Sequence, residues 1–91
     1  DSLLSDYNSY EIANSRINIV KQSIVSAQNV LESYTRLFLA GKRQWLDLVN
    51  TSRELTQYKI ELSNLQTTKS ILAYKLALKN GQIDLLNGNI K

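Results

Sequence analysis

The side chains of this sequence that could do chemistry are its acidic and basic groups. Two residue types that most enzymes and metal sites rely on are missing. Eight acidic and eleven basic residues are present, whereas histidine and cysteine are both absent. The commonest general base, the commonest metal ligand and the thiolate nucleophile are therefore missing, and no disulfide can form. We predict a protein that is not an enzyme and that carries no metal site and no cofactor.

Charged residues also surround a single glycine in the stretch YTRLFLAGKRQWLDL, residues 34–48. Gly41 is followed directly by Lys42 and Arg43, and Asp47 comes four residues after Arg43. A carboxylate this close to the start of a helix is favoured by the positive end of the helix dipole. The sequence therefore predicts a favourably placed carboxylate near the start of a second helix.

The net charge of +3 and the scatter of basic residues along the chain do not indicate a nucleic-acid-binding protein. A hairpin that binds nucleic acid through Arg36, Lys42 and Arg43 stays an alternative, although Trp45 is the only aromatic side chain beside them that could stack on a base. A binding assay with steep salt dependence would support that alternative. Our prediction is no nucleic-acid partner.

The composition favours helix throughout. The 91 residues include no proline and only three glycines, and the chain is short enough to be one domain with a modest core. The first residues, DSLLSDYNSYE, lack the basic and apolar regions of a signal peptide. No stretch approaches the roughly 18 uninterrupted apolar residues of a membrane-spanning helix.

Heptad spacing is the strongest pattern in the first half of the chain. Apolar residues recur at alternating steps of three and four, as on the contact line, or seam, of a coiled coil. They are Tyr10, Ala13, Ile17, Val20, Ile24, Ala27, Leu31, Tyr34 and Phe38. The spacing predicts a helix over about 7–39, on the order of 50 Å long, with Glu32 paired to Arg36 on its outer side.

Gly41 stands where a helix C-terminus favours a residue that adopts positive φ at low steric cost. Reflecting the first seam through Gly41 gives a second set with the same spacing, in which six of eight residues are apolar: Leu72, Lys69, Leu65, Leu62, Tyr58, Leu55, Thr51 and Leu48. In this register Lys69 faces Ala13, with its stem across the small residue and its charge in water.

The predicted fold is therefore all-α, a long antiparallel two-helix coiled-coil hairpin with a tight turn at about Gly41. We expect one hairpin over 1–91, with the turn at about 40–42 and the second helix over about 43–80. Asn80 and Gly81 are expected to end that helix, with Lys75 and Lys79 near its negative end. A short tail would follow over 81–91.

Each helix carries a second apolar set beside its seam. On the first helix these residues are Ile12, Ile19, Val30 and Leu37, and on the second they are Ile60, Thr67, Ile71, Tyr74 and Leu78. One interpretation is a single broad stripe that faces a core, as in many globular helices. The other is that each helix touches neighbours on two sides, as in a helical barrel or bundle, so that the isolated hairpin would self-associate.

The residues around Gly41 also resemble a known family. Phe38-Leu39-Ala40-Gly41 followed by Lys42-Arg43-Gln44-Trp45-Leu46-Asp47-Leu48-Val49 is similar to the aromatic-x-x-Gly-x-x-x-x-x-Asp-hydrophobic-hydrophobic signature of TolC-like outer membrane efflux and secretion proteins. The flanking segments LESYTRLFLAGKR and RELTQYKIELSNLQTTKSILAYKLALKNG resemble the long helices on either side of that turn, closest to the type I secretion branch. The resemblance covers roughly residues 26–81.

This resemblance implies a place in a larger protein. TolC-like proteins are trimers whose outer-membrane β-barrel continues into the periplasm as a long α-helical barrel, and each protomer contributes two helical hairpins. This chain would be one such periplasmic hairpin, a fragment of a channel in the Gram-negative cell envelope that does not itself span a membrane. Its partners would be a periplasmic adaptor (membrane fusion) protein and, through it, an inner-membrane pump.

The resemblance also implies roles for individual residues. Phe38, Leu39, Ala40 and Gly41 match the turn on which the adaptor docks. Arg43 matches a basic position that ties neighbouring hairpins together in the closed channel. Asp47 matches an acidic position in the pore constriction, where three copies would form a negative ring. Asn50 departs from the family pattern, because some members carry a second acidic ring there, and the constriction would be less negative.

Plainer interpretations of the same residues stay open. Phe38 is also the last seam residue of the first helix, and Trp45 could simply pack beneath the turn, where a buried indole N–H needs a partner. Lys42 and Arg43 fit ordinary solvated charges. For the whole chain, the alternative is a structural antiparallel coiled coil that serves as an oligomerisation or spacer module without channel function.

Overall fold

The computed structural model of the chain describes residues 2–88, with side chains described for 3–81. Two helices account for nearly all of this range, α1 (Ser2–Leu39) and α2 (Trp45–Gly88). They lie side by side along most of their length, and the molecule measures 75 × 19 × 14 Å. The predicted all-α helical hairpin is confirmed.

The contact line between the helices is the seam that the heptads predict. Among the described side chains, Ala13, Ile17 and Val20 are the most buried on α1, and Thr51, Leu55 and Leu48 are the most buried on α2. The remaining predicted seam residues are buried or half-buried, whereas most of the side chains between them are exposed. The reflection through Gly41 therefore predicts the pairing of the two helices correctly. Glu32 and Arg36 form the expected ion pair at 2.9 Å on the exposed side.

The seam continues beyond the predicted start of α1. Leu3 and Asp6 are half-buried and extend the three-four spacing on α1, and Leu76 and Lys79 do so on α2. The Lys79 ammonium pairs with the Asp6 carboxylate at the open end of the hairpin. The predicted start at about residue 7 is therefore wrong, because these contacts hold α1 in helical form from Ser2.

The predicted bounds of α2 are wrong at both ends. The helix begins at Trp45 rather than at 43, and it continues past Asn80 and Gly81 to Gly88. Glycine inside a helix costs about 1 kcal/mol relative to alanine. This cost weakens a long helix but does not end it when no proline follows. The expected tail is thus helical over 81–88, so Lys75 and Lys79 do not lie in the last turn; residues 89–91 lie outside the described range.

Lys69 occupies the seam in a way that the sequence predicts only in part. Its side chain is half-buried on the contact line, as expected opposite a small residue. Its ammonium group donates a hydrogen bond to Oδ1 of Asn14 at 2.8 Å and lies 5.6 Å from the centre of the Tyr10 ring. The charge is therefore held by the partner helix instead of being left to water.

The seam makes a prediction about stability. Ile17 is 4% exposed, so Ile17→Ala removes a packed side chain and should lower the free energy of unfolding by roughly 2–4 kcal/mol, measured by urea denaturation followed by circular dichroism. Ile19→Ala is the matched control, because Ile19 is 61% exposed on the same helix and should change stability by less than about 0.5 kcal/mol. Equal losses in the two variants would contradict the assigned seam.

Candidate functional site at the turn

The reversal of the chain is built around Gly41. Gly41 has a φ of 75°, and among the described residues it alone has a positive φ. The Gly41 N–H donates to the carbonyl of Phe38 at 2.9 Å, and the Lys42 N–H donates to the carbonyl of Leu37 at 2.8 Å. These two bonds form a Schellman motif, which satisfies carbonyl groups that the end of a helix leaves without intrahelical donors. The predicted role of Gly41 as a helix-ending residue is confirmed.

Asp47 lies at the third helical position of α2, and its side chain points back toward the start of this helix. Its Oδ2 atom accepts the backbone N–H of Gln44 at 3.4 Å, and its own N–H donates to the carbonyl of Gln44 at 3.1 Å. A carboxylate at this position satisfies an N–H group that the helix leaves free and interacts favourably with the dipole. Asp47 therefore has a local structural role that does not depend on a pore.

Arg43 is held by its own hairpin. Its guanidinium carbon lies 3.8 Å from the centre of the Tyr34 ring on α1, and Nη1 lies 3.5 Å from Oδ2 of Asp47 on α2. Stacking of arginine on an aromatic face combines a cation–π attraction with a flat apolar contact. Arg43 thus links the end of α1 to the start of α2, and it is not the freely solvated charge of the plainer interpretation.

An aromatic pair closes the other side of the turn. The rings of Phe38 and Trp45 lie 5.7 Å apart between centres and are tilted by 56°. Tilted packing of this kind is favourable for aromatic rings. Phe38 is half-buried as the last seam residue, whereas Trp45 is 64% exposed, so the indole packs beside the turn and remains open to solvent.

The outer surface of the turn is small and apolar. Leu39 is 78% exposed, and Ala40 and Gly41 are exposed beside it. A Cβ atom added to Gly41 would meet no atom within 4 Å, so the space next to this glycine is open. Together with the edge of Phe38, these residues form what we call the tip, residues 38–41, a surface that a partner could approach closely.

The structure thus brings most of the predicted site residues to one end of the rod. Arg43 and Asp47 lie directly behind the tip and contact each other. Asn50 is exposed on α2, nearly one turn beyond Asp47, and belongs to neither the tip nor the ion pair. The two acidic-ring positions of the resemblance are therefore a paired carboxylate and a neutral amide in this chain.

The second apolar sets are largely uncovered. Ile19 and Ile60 are both more than half exposed, and the other residues of the two sets are exposed as well. Near the turn, Leu31, Trp45, Leu48, Val49 and Ile60 line an open groove between the helices. Both flanks of the hairpin therefore present apolar surface, as the two-sided interpretation of the sequence expects.

Hydroxyl groups on these flanks bond to their own helices. Thr35, Thr56 and Thr67 each donate a hydrogen bond to the carbonyl four residues earlier, at 2.8–3.0 Å. Ser23 and Thr51 make the same bond on the opposite side of the hairpin. These five hydroxyl groups thus have their donors satisfied without water.

Sequence reasoning missed the contacts that Tyr34 and Lys79 make. The four-residue spacing of Arg43 and Asp47 was a usable signal for their ion pair, whereas the stacking of Arg43 on Tyr34 across the turn has no sequence signature. In the residues that the structure describes, no group of acidic side chains could hold a metal ion. No helix in that range is long and apolar enough to cross a membrane.

The Arg43 contacts predict an effect on stability. Arg43→Ala removes both the stacking on Tyr34 and the ion pair, and should lower the free energy of unfolding by about 1 kcal/mol in a denaturant titration. Lys42→Ala is the control, because Lys42 is exposed and adjacent, and its loss should be nearly neutral. If both variants unfold at the wild-type midpoint, the linking role of Arg43 is disproved.

Comparison with known proteins gave no relatives from which a role could be transferred. No family model, curated protein or solved structure matches the chain.

Proposed function

We propose that the chain is the periplasmic tip hairpin of a trimeric TolC-like outer membrane channel that exports proteins or small molecules. In this proposal residues 38–41 dock to a periplasmic adaptor protein, which connects the channel to an inner-membrane pump. The hairpin also helps to gate the channel, and it resides in the periplasmic part of the Gram-negative cell envelope. The proposal begins from the sequence resemblance around Gly41 and rests on the geometry of the turn.

The observation that carries the proposal is a rigid turn with an open surface. The Schellman hydrogen bonds fix the backbone at 37–42, and the Arg43 and Trp45 side chains brace the turn from two sides. Despite this bracing, Leu39, Ala40 and Gly41 stay exposed at one end of a 75 Å rod. A preorganised apolar surface loses little entropy on binding, which is what a docking turn requires.

The exposed flanks support a place within a helical barrel. A hairpin in such a barrel contacts a neighbour on each side, and this hairpin has apolar residues on both helices outside the seam. The groove beside Leu31 and Ile60 offers a concave surface near the tip for a neighbouring helix. Apolar surface of this extent is unusual for an isolated two-helix protein, so covering partners are expected.

The Arg43–Asp47 ion pair behind the tip affects how the hairpin could gate the channel. In a trimer Arg43 would have only its remaining N–H groups for a neighbouring hairpin, since its guanidinium already stacks on Tyr34 and pairs with Asp47. In the trimer each of the three Asp47 carboxylates would be paired with the Arg43 of its own hairpin, and Asn50 would add no charge. We therefore propose a constriction with weaker attraction for cations than a ring of unpaired carboxylates would have.

A structural coiled-coil spacer or oligomerisation module is the second candidate. The contacts of Arg43 and Asp47 within one hairpin favour it, because both residues then serve the turn itself. This candidate assigns no partner to the tip. Substitution on the open surface of the tip therefore separates the two functions.

The docking role predicts the effect of a charge on the tip. In the full-length channel protein that the proposal implies, Leu39→Lys should abolish export while the trimer still assembles, measured by a secretion assay together with native electrophoresis, because Leu39 is 78% exposed at the tip and its backbone is unstrained. Asn18→Lys is the control, because Asn18 is exposed on the same helix but lies far from the tip. Normal export by the Leu39 variant would contradict docking at the turn and would favour the spacer.

The constriction role predicts an effect of charge. Asp47→Asn should alter single-channel conductance or its sensitivity to divalent cations, whereas Asn50→Asp should increase that sensitivity by adding a second carboxylate. Both changes keep the size of the side chain, so packing is preserved. Identical current records for the wild type and both variants would show that neither position lines the pore.

A further inference from the structure

One set of seam residues keeps its seven-residue spacing from α1 through the turn into α2. We call this set a row of the seam. Every seventh residue from Ala13 to Leu76 is buried or half-buried, with Gly41 as the sole exception among the members of this row. The row consists of Ala13, Val20, Ala27, Tyr34, Gly41, Leu48, Leu55, Leu62, Lys69 and Leu76. If residues 40–44 became helical, this row would form a continuous line on one straight helix.

The pairs across the seam are nearly symmetric about the turn. The residue numbers of contacting pairs add to 83 for Asn14 with Lys69 and for Phe38 with Trp45, to 85 for Asp6 with Lys79, and to 79 for Tyr10 with Lys69. Two straight chains placed antiparallel, with a two-fold axis near residues 41 and 42, would therefore form each of these contacts twice between chains.

The sequence of the connecting segment is compatible with a straight helix. Residues 40–44 are Ala-Gly-Lys-Arg-Gln, in which only glycine disfavours a helix, and the chain contains no proline. The hairpin keeps four backbone bonds around this segment, whereas a continuous helix would give each of these residues its regular bond. At low concentration the hairpin is favoured because its two helices are joined in one chain.

We propose that the chain exchanges between this hairpin and a domain-swapped dimer, in which a second copy of the chain is the partner. In the dimer residues 40–44 are helical, and α1 of each chain packs on α2 of the other through the same seam. The exposed flanks take no part in the exchange. This inference concerns the chain itself and does not depend on the proposed channel function.

Gly41→Ala tests the exchange. Alanine disfavours the φ of 75° in the hairpin and favours the straight helix, so the dissociation constant of the dimer should fall roughly a hundredfold or more across the two hinges. Molar mass by light scattering and maximum length by X-ray scattering provide the measurements. The swapped dimer should be about 130 Å long, from 1.5 Å per residue over 2–88, against 75 Å for the hairpin.

Gly81→Ala is the matched control, because it raises helix propensity outside the hinge and should leave the dimer equilibrium near that of the wild type. A Gly41→Ala variant that stays monomeric and 75 Å long at millimolar concentration would overturn the proposal. A dimer that remains about 75 Å long would also overturn it, since that length indicates pairing of the exposed flanks of two hairpins.

A second experiment uses the ion pair at the open end and does not depend on the Gly41 variant alone. In the Gly41→Ala background, Asp6→Lys puts lysine at both position 6 and position 79, and Lys79→Asp puts aspartate at both. Each variant alone has like charges in contact both in its hairpin and in its own dimer, so its dimer equilibrium should stay close to that of the Gly41→Ala background. Their equimolar mixture restores two opposite-charge pairs, but only between chains. Tighter association of the mixture supports the swap, and a mixture that behaves as the average of its components overturns it.

Discussion

The left-handed conformation of Gly41 is the constraint on which the rest of the hairpin depends. A side chain at φ 75° is strained, so the chain can reverse cheaply only where glycine stands. The reversal then fixes which residues face each other, because every seam pair is set by its distance from the turn. A slip by one residue would carry the seam of α2 away from α1. The position of one glycine thus determines the register of two helices of 38 and 44 residues.

The seam buries few side chains for the length of the rod. Among the described side chains of α2, over 45–81, only Leu48, Thr51 and Leu55 near the turn are buried, whereas the seam residues further along are half-buried. The half farther from the turn is held by the buried side chains of Ala13, Ile17 and Val20 on α1, together with the half-buried Asp6–Lys79 ion pair and the hydrogen bond from Lys69 to Asn14. Each half of the rod therefore has buried residues of its own, mainly on α1 toward the open end and on α2 toward the turn.

The sequence predicts the fold well because a heptad pattern and a helix-ending glycine are both local signals. It predicts the ends of the helices poorly. Leu3 and Lys79 continue the spacing, but a seam position filled by a charged residue is recognised only when its partner is known. Gly81 suggests the end of a helix because glycine ends many helices, yet its effect is small beside the propagation of a long helix.

In the site behind the tip, too, local sequence signals predict some features, whereas others depend on which side chains meet in the fold. The place of Gly41 and the proximity of Arg43 to Asp47 follow from spacing, whereas the stacking of Arg43 on Tyr34 depends on how two side chains meet across the turn. The roles in docking and in a pore come from the resemblance, and residue types at fixed offsets do not distinguish an aspartate that lines a channel from one that begins a helix.

The threonine hydroxyls on the flanks have a consequence for any assembly that covers them. Burying a hydroxyl normally means stripping water from a donor that must then find a new acceptor. Thr35 and Thr56, which border the apolar groove, already give their protons to carbonyls of their own helices. What they present outward is mainly a methyl group, so these two positions can be dehydrated almost as readily as if alanine or valine stood there. Toward a neighbouring helix, two residues that count as polar in the sequence therefore act as apolar ones, and Ser52, Arg53 and Gln57 are the polar residues that remain in the groove.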